Sequence, residues 1–443
     1  MELSKETLAQ WEGLRTAAGR NVPLLGDERD VFRAARESAE GALGLFTKET
    51  DYVELYRFFS PHAEKWMSQQ WHAPAVKAQK EDVGCCEAGC DILNVGDYKV
   101  YVHNGHCFVG AGHPLMEQPN GVVYGSLAEA ARCYPEIVAR EYARQSVTAE
   151  DDLVRANAQL AEDGVFIYIP KGVRVEQPIE VIFTLDAKEA QRLDFRSLVV
   201  VEDLGDASVV YSDCTLSPVP YFTQQVTECA VGQSANLNFI LLQNQHDEAL
   251  QLHHVFAELQ EGAQFSSNVF TVRGGAVRNN VYVTLKGQHA QASCNGLALV
   301  GVGQYVDMHT LVRHVAERCQ SNQLYKTIVD GEGESNFYGI IDVQPGAQKT
   351  EAFQRNANIL MSTAAKARTR PQLIIHADDV KCSHGATVGQ FDEEARFYMM
   401  QRGLAPEDVN RLLVQGFAGD VIALVPHRPL REYLHGVVEN RVQ

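Results

Sequence analysis

The sequence predicts a mainly β protein in which a long β-helix lies between a small α/β domain and a helical domain. Two observations carry that expectation. From about Gly164 to Gly389 helical periodicity gives way to short runs rich in β-branched and aromatic residues. Among them are Val165-Phe-Ile-Tyr-Ile, Ile179-Glu-Val-Ile-Phe-Thr-Leu, Ser197-Leu-Val-Val-Val, Asn236-Leu-Asn-Phe-Ile-Leu-Leu and Phe337-Tyr-Gly-Ile-Ile. Between the runs recur turn words of one kind: Gly205-Asp-Ala, Gly232-Gln-Ser-Ala, Gly262-Ala-Gln, Gly287-Gln-His-Ala and Gly346-Ala-Gln, the first four spaced 27, 30 and 25 residues apart. A loose repeat with a glycine turn and several strands per period suits a parallel β-helix, whose coils bury their inward side chains against one another. A β-sandwich is the competing reading, but this stretch is about twice the roughly 100 residues of an ordinary sandwich.

The flanks read differently. Before about residue 155, Thr50-Asp-Tyr-Val-Glu-Leu-Tyr-Arg-Phe-Phe has helical spacing. Ser126, with Glu129 three residues on, has the spacing of a capping box. Between them Tyr98-Lys-Val-Tyr-Val-His-Asn-Gly-His-Cys-Phe-Val is a hairpin pattern turning at Asn104-Gly105, which most easily takes the positive φ values of a type I′ turn. After Gly389 a helix from Asp392 should end near Gly403, and Pro406 should open a second whose apolar face is Val409, Leu412, Leu413 and Phe417. A last amphipathic piece covers Pro429 to Val442. The expected division is 1–155, 156–389 and 390–443, with the first 95 residues the least defined.

Composition bounds function. A chain of 443 residues, 45% hydrophobic and 22% charged, can bury a large core. No stretch reaches the roughly 20 apolar residues of a membrane span. The opening residues lack the apolar core of a signal peptide, so the expected location is cytoplasmic. A net charge of −18 disfavours nucleic acid, whose binders cluster Lys and Arg. Ten cysteines in such a chain read as reduced thiols. Cys214, Cys229, Cys294 and Cys319 fall in or beside strand runs and read as small core residues, while the pairs His253-His254 and His309/His314 read as structural.

The densest polar constellation is His376-Ala-Asp-Asp-Val-Lys-Cys-Ser-His-Gly-Ala-Thr-Val-Gly389. Strand alternation puts Cys382 and His384 on one face and Ser383 on the other. A thiolate and an imidazole so placed could hold iron or zinc, could pair as nucleophile and base, or could belong to a polar turn. Cys85, Cys86 and Cys90 form a second cluster of soft ligands, without a recognised metal spacing or an evident fourth ligand.

The segment from Asp378 to Gly389, followed by Phe397-Tyr and Arg402-Gly403, resembles the C-terminal signature of the SufD branch of the SufB/SufD family of iron–sulfur cluster assembly proteins. Leu160-Ala-Glu-Asp-Gly-Val-Phe-Ile-Tyr-Ile-Pro-Lys-Gly, Leu324-Tyr-Lys-Thr-Ile-Val and the hairpin and helix near residues 98 to 142 are similar too. The resemblance implies a right-handed parallel β-helix with an N-terminal α/β domain and a C-terminal helical domain that docks on the ATPase SufC. It implies pairing with SufB, and a nascent iron–sulfur cluster formed transiently at that interface, with His384 and Cys382 as the interface residues. SufB carries a Gln-Cys-Asp stretch where this chain reads Gln354-Arg355-Asn356, which favours the SufD branch and assigns sulfur acceptance mainly to the partner.

On this reading the chain is a scaffold and not an enzyme. It contains no Gly-Lys dipeptide, so a phosphate-cradling loop is absent and nucleotide chemistry belongs to the partner. Two alternatives stand beside it. One is a homodimeric relative that handles sulfur or iron outside the complex. The other is a carbohydrate-active β-helix enzyme using Asp378, Asp379 and Lys381, which the free thiols oppose.

Overall fold

The computed structural model describes residues 95–146 and 151–441, together with Phe59 and His62. The rest of the helical run from Thr50, and the cluster Cys85, Cys86 and Cys90, lie outside the described residues.

Strands are numbered in chain order. The first four are β1 (Tyr98–His103), β2 (His106–Val109), β3 (Leu115–Glu117) and β4 (Val123–Ser126). Helices α1 (Leu127–Cys133), α2 (Pro135–Glu141) and α3 (Asp152–Leu160) follow. The next strands are β5 (Val165–Ile169), β6 (Ile179–Leu185), β7 (Gln191–Val201), β8 (Asp206–Thr215), β9 (Tyr221–Val231), β10 (Asn236–Asn244), β11 (Ala249–Leu259) and β12 (Gln264–Arg273). Then come β13 (Ala276–Leu285), β14 (Gln291–Val300), β15 (Tyr305–His314), β16 (Gln320–Val329), β17 (Glu334–Val343), β18 (Glu351–Leu360), β19 (Lys366–Ile375) and β20 (Lys381–Gly389). Helices α4 (Glu393–Gln401), α5 (Pro406–Ile422) and α6 (Arg428–Arg441) close the order.

The even strands from β6 to β20 form one sheet and the odd strands from β5 to β19 the other, each pairing in parallel with the strand two places on. This is the parallel β-solenoid that the repeat predicts, of about eight turns. Its lumen is filled by inward side chains, among them Val181, Val199, Phe239, Val255, Leu285 and Phe337, all nearly inaccessible to water. Among the described residues no helix is long and apolar enough to cross a membrane.

The turn words act differently from the simplest expectation. Gly262 has φ +66, but in the neighbouring coils the left-handed residue is Leu204, Ser234 or His289. Gly287 is needed for a different reason: a Cβ there would lie 1.9 Å from the backbone nitrogen of Glu261 in the previous coil. That glycine sets how closely the coils stack.

At the N-terminal end the β1–β2 hairpin turns at Asn104 (φ 48) and Gly105 (φ 82), as the dipeptide predicts. The side chain of Asn104 accepts from Asp186 N (2.8 Å) and donates to Asp186 O (2.7 Å), pinning the hairpin to the solenoid. Because β1 pairs with β6 and β4 with β5, residues 98–126 extend both sheets, and α3 runs across position 155. Ser126 accepts from Glu129 N at 3.1 Å as its position predicts. Glu129 turns to Arg132 instead, while Ser126 N donates to Pro114 O, so only half of the capping box forms.

At the other end Asp392 caps α4, Gly403 takes φ 90 after it, and Pro406 opens α5. Of the expected face of α5, Val409 is buried and Phe417 packs half-buried against the core, but Leu412 is exposed, and the buried stripe runs on through Val414, Ala418, Val421 and Ile422. The reason is the sheet beneath: Ile240, Leu242, Leu297, Leu299 and Ile328 on the outer face of the even strands form an apolar bed for this stripe and for Leu430, Leu434 and Val438 of α6.

Candidate functional site at the open end of the solenoid

Strands β19 and β20 are the last of their sheets, so among the described residues no further strand stacks on the final coil. The inward column of β18 is Ala352, Gln354, Asn356 and Asn358, all buried. One coil on, Cys382, His384, Ala386 and Val388 continue that register, with Cys382 opposite Ala352 and His384 opposite Gln354. Cys382 is half-buried, whereas His384 and Val388 are exposed. Ser383 sits opposite Phe353, on the outer face, as alternation requires.

Cys382 packs against the apolar end cluster of Ile341, Val343, Ala347, Ala352 and Ala377. Burial there pushes its thiol pKa up, partly offset by a hydrogen bond to the backbone of Ala352. Cys382 and His384 are two residues apart, about 6.6 Å along a strand, so their side chains can converge on one ion or one cluster. They are only two ligands. Among the described residues no group of three or more His, Cys, Asp or Glu could hold a metal, so Cys382 and His384 have no third ligand among them.

Behind His384 the lumen is polar. Gln323 Oε1 accepts from Thr310 Oγ1 (2.7 Å) and from Gln354 Nε2 (3.1 Å). Ser335, Thr369 and Tyr325 present buried hydroxyls nearby in the same coils. Reading the sequence did not find this glutamine ladder; the signal was glutamine at inward positions of consecutive coils, visible only once the register is known.

The other singled-out residues have structural settings. His253 faces the lumen beside Tyr211 and Phe239 and contacts Thr227 Oγ1 at 3.1 Å. His254 faces outward, near Asn280 (3.1 Å) and Asp151 (3.9 Å). His309 is outward and His314 inward, the latter bonded to Ser321 Oγ at 2.8 Å. Cys229, Cys294 and Cys319 are buried, and desolvation pushes the Cys294 thiol up to about 12. Cys214 departs from expectation: it is disulfide-bonded rather than a free core thiol. It stands near the end of β8, half-buried, where its sulfur is not enclosed by the lumen.

The residues of the carbohydrate-active alternative do not converge. Asp379 pairs with Lys349, and Lys381 with Glu351 at 2.8 Å, each an exposed tie from one coil to the previous one.

The family model described as SUF system FeS cluster assembly, SufBD core domain, matches residues 183–417. The chain belongs to the SufBD family. The model of the SufBD protein N-terminal region matches residues 27–181. The iron–sulfur cluster assembly protein SufD of Escherichia coli (strain K12) is 30% identical over 286 residues, covering 64% of this chain and 68% of that protein. A SufBD family iron–sulfur cluster assembly protein of Synechocystis is 30% identical over 311 residues, 68% of each chain. SufB of Bacillus subtilis (strain 168) is 25% identical over 311 residues, 69% of this chain and 66% of that one. The chain is thus a SufD-like member of the SufBD family of iron–sulfur cluster assembly proteins.

Proposed function

We propose that this chain is a non-catalytic scaffold subunit that pairs through β19 and β20 with a SufB-like chain and offers His384 and Cys382 to a nascent iron–sulfur cluster at the joint. The observation that carries the reading is the last coil, on which no further strand stacks among the described residues, with an imidazole and a thiol on its lumen face and no third ligand among those residues. Two parallel sheets ending side by side leave two rows of backbone donors and acceptors unpaired. A partner that ends in the same two-sheet geometry satisfies both rows at once, and a SufB-like solenoid is such a partner. The cluster is cargo, shared and transient, and this chain by itself keeps no tight cofactor.

The C-terminal helices are the docking element for a SufC-like ATPase. Helix α4 buries none of its residues among the described part of the chain, and Phe397 and Tyr398 are 61% and 60% exposed. Nucleotide hydrolysis is the partner's task, and the assembly works in the cytoplasm.

The test is anaerobic co-purification with the SufB-like and SufC-like proteins of the same host, with iron and sulfide measured for wild type and His384→Ala. Retention of the complex with loss of iron and sulfide in the variant supports the reading. A chain that forms no complex and remains a metal-free homodimer removes it in favour of the homodimeric alternative.

A further inference from the structure

The geometry points to Gln354 as the residue that positions His384: when a partner covers the last coil, His384 donates one ring N–H to Gln354 Oε1 and turns its other nitrogen to the interface. This rests on the reading that His384 faces the cargo, and adds to it the group that orients the ring.

Gln354 is 1% exposed. Its amide is held from one side only, because Nε2 donates to Gln323 Oε1, itself fixed by Thr310. With the nitrogen committed towards the previous coil, the oxygen is free for the next, and Oε1 is a buried acceptor with no hydrogen-bond partner. The residue in register on the next coil is His384. The fold also makes room for this amide: a Cβ on Gly339 would lie 2.2 Å from Gln354 Nε2, so only glycine lets the side chain lie across the lumen. A buried acceptor without a donor costs roughly 1–3 kcal/mol, a cost relieved when His384 swings inward. A metal-binding histidine ordinarily donates its second N–H to such a carbonyl or carboxylate, which selects the tautomer and aims the ring.

The experiment uses the anaerobically purified complex with the SufB-like and SufC-like partners. Gln354→Met removes the acceptor at nearly constant volume, Gln354→Glu restores an acceptor, and Gln323→Met leaves Gln354 in place without its anchor. Gel filtration establishes that each complex forms. Iron and acid-labile sulfide are then measured, and magic-angle-spinning NMR of the metal-free complex, with 15N-histidine in this chain alone, reads the His384 tautomer.

The expected result is one tautomer in wild type and Gln354→Glu and a mixture in Gln354→Met, with iron retention about tenfold lower in Gln354→Met, the low end for loss of the partner behind a metal-bound histidine. Gln323→Met should fall between. The double variant Gln354→Met/His384→Ala should hold no less iron than His384→Ala, since the glutamine acts through the histidine. Unchanged ring shifts and iron in Gln354→Met overturn the inference while leaving the His384 reading intact. If His384→Ala itself retains iron and sulfide, the reading of the site fails and the inference with it.

Discussion

His384 stands in register with Gln354, one coil apart on the same inward column, yet Gln354 is buried and His384 is exposed. The two differ only in whether another coil follows. That contrast marks the end of the solenoid as a surface awaiting a cover, and it generates the first expectation.

A charge placed on that end should block assembly without harming the fold. Val388 is 43% exposed, so Val388→Lys should change unfolding free energy by no more than about 0.5 kcal/mol. Light scattering with the SufB-like partner should show a lost or at least tenfold weaker complex. An unaffected complex would place the interface elsewhere.

Helix α4 gives a separable expectation. Phe397→Ala with Tyr398→Ala should abolish capture of the SufC-like ATPase in a pull-down, while association with the SufB-like chain and thermal stability stay as in wild type. Loss of both partners together would mean that the helix supports the fold rather than docking.

Glu228 ties the N-terminal segment to the solenoid. Its carboxylate accepts from the backbone nitrogens of Ala143 (2.7 Å), Gln145 (2.9 Å) and Ser146 (2.9 Å), and pairs with buried Arg196 at 3.3 Å. Removing it strands a guanidinium and three donors, so Glu228→Ala should cost about 3–5 kcal/mol. Urea unfolding checks the value, and hydrogen exchange should rise first at residues 143–146.

Coil spacing predicts opposite outcomes for two glycines. Gly287→Ala drives a methyl group into the backbone of Glu261 and should destabilise by about 3 kcal/mol or more, whereas Gly385→Ala meets nothing within 4 Å and should be neutral to about 0.5 kcal/mol. Equal effects by urea titration would contradict the stacking argument.

Acid should weaken the fold. Burial lowers the folded pKa of His253 to about 3 and of His254 and His314 to about 4, and lowers that of His309 as well. Each is neutral when folded and takes up a proton on unfolding once the pH is below about 6.5, so stability is lost as pH falls through that value. Burial acts the other way on two carboxyls, raising Asp213 to about 7 and Asp163 to about 6. Their protons favour the folded state at pH 5 and are released on unfolding. Four protons taken up against two released leaves two, or about 2.7 kcal/mol lost per pH unit near pH 5. Urea midpoints at pH 7 and pH 5 measure the slope, and a flat or reversed profile would show that these groups are not buried as described.

Much of the architecture was legible because it depends on local chemistry. Asn104-Gly105 turns a hairpin by its own φ preferences, Ser126 and Asp392 cap helices with their own oxygens, and strands such as Ile179–Leu185 are marked by runs rich in β-branched and aromatic residues. The alternation that puts Cys382 and His384 on one face is likewise a property of any extended chain. The face of α5 was legible only in part, at Val409 and Phe417 but not at Leu412, because the apolar bed of Ile240, Leu297 and Ile328 comes from strands far away in the sequence. Nor was the disulfide of Cys214, since a sulfur's partner is set by proximity in space.

By itself, then, the sequence determined that this protein is a repeated parallel β-structure with a polar Cys–His segment at its last strand, since strand period, turn chemistry and motif are written in neighbouring residues. Only the tertiary structure decided that the segment lies at an open end, that Gln354 waits one coil beneath His384, and that Glu228 and Gly287 carry the packing. Those facts depend on inter-coil register, which adds residues about thirty apart to the same column and is specified by the whole stack of coils rather than by any one of them.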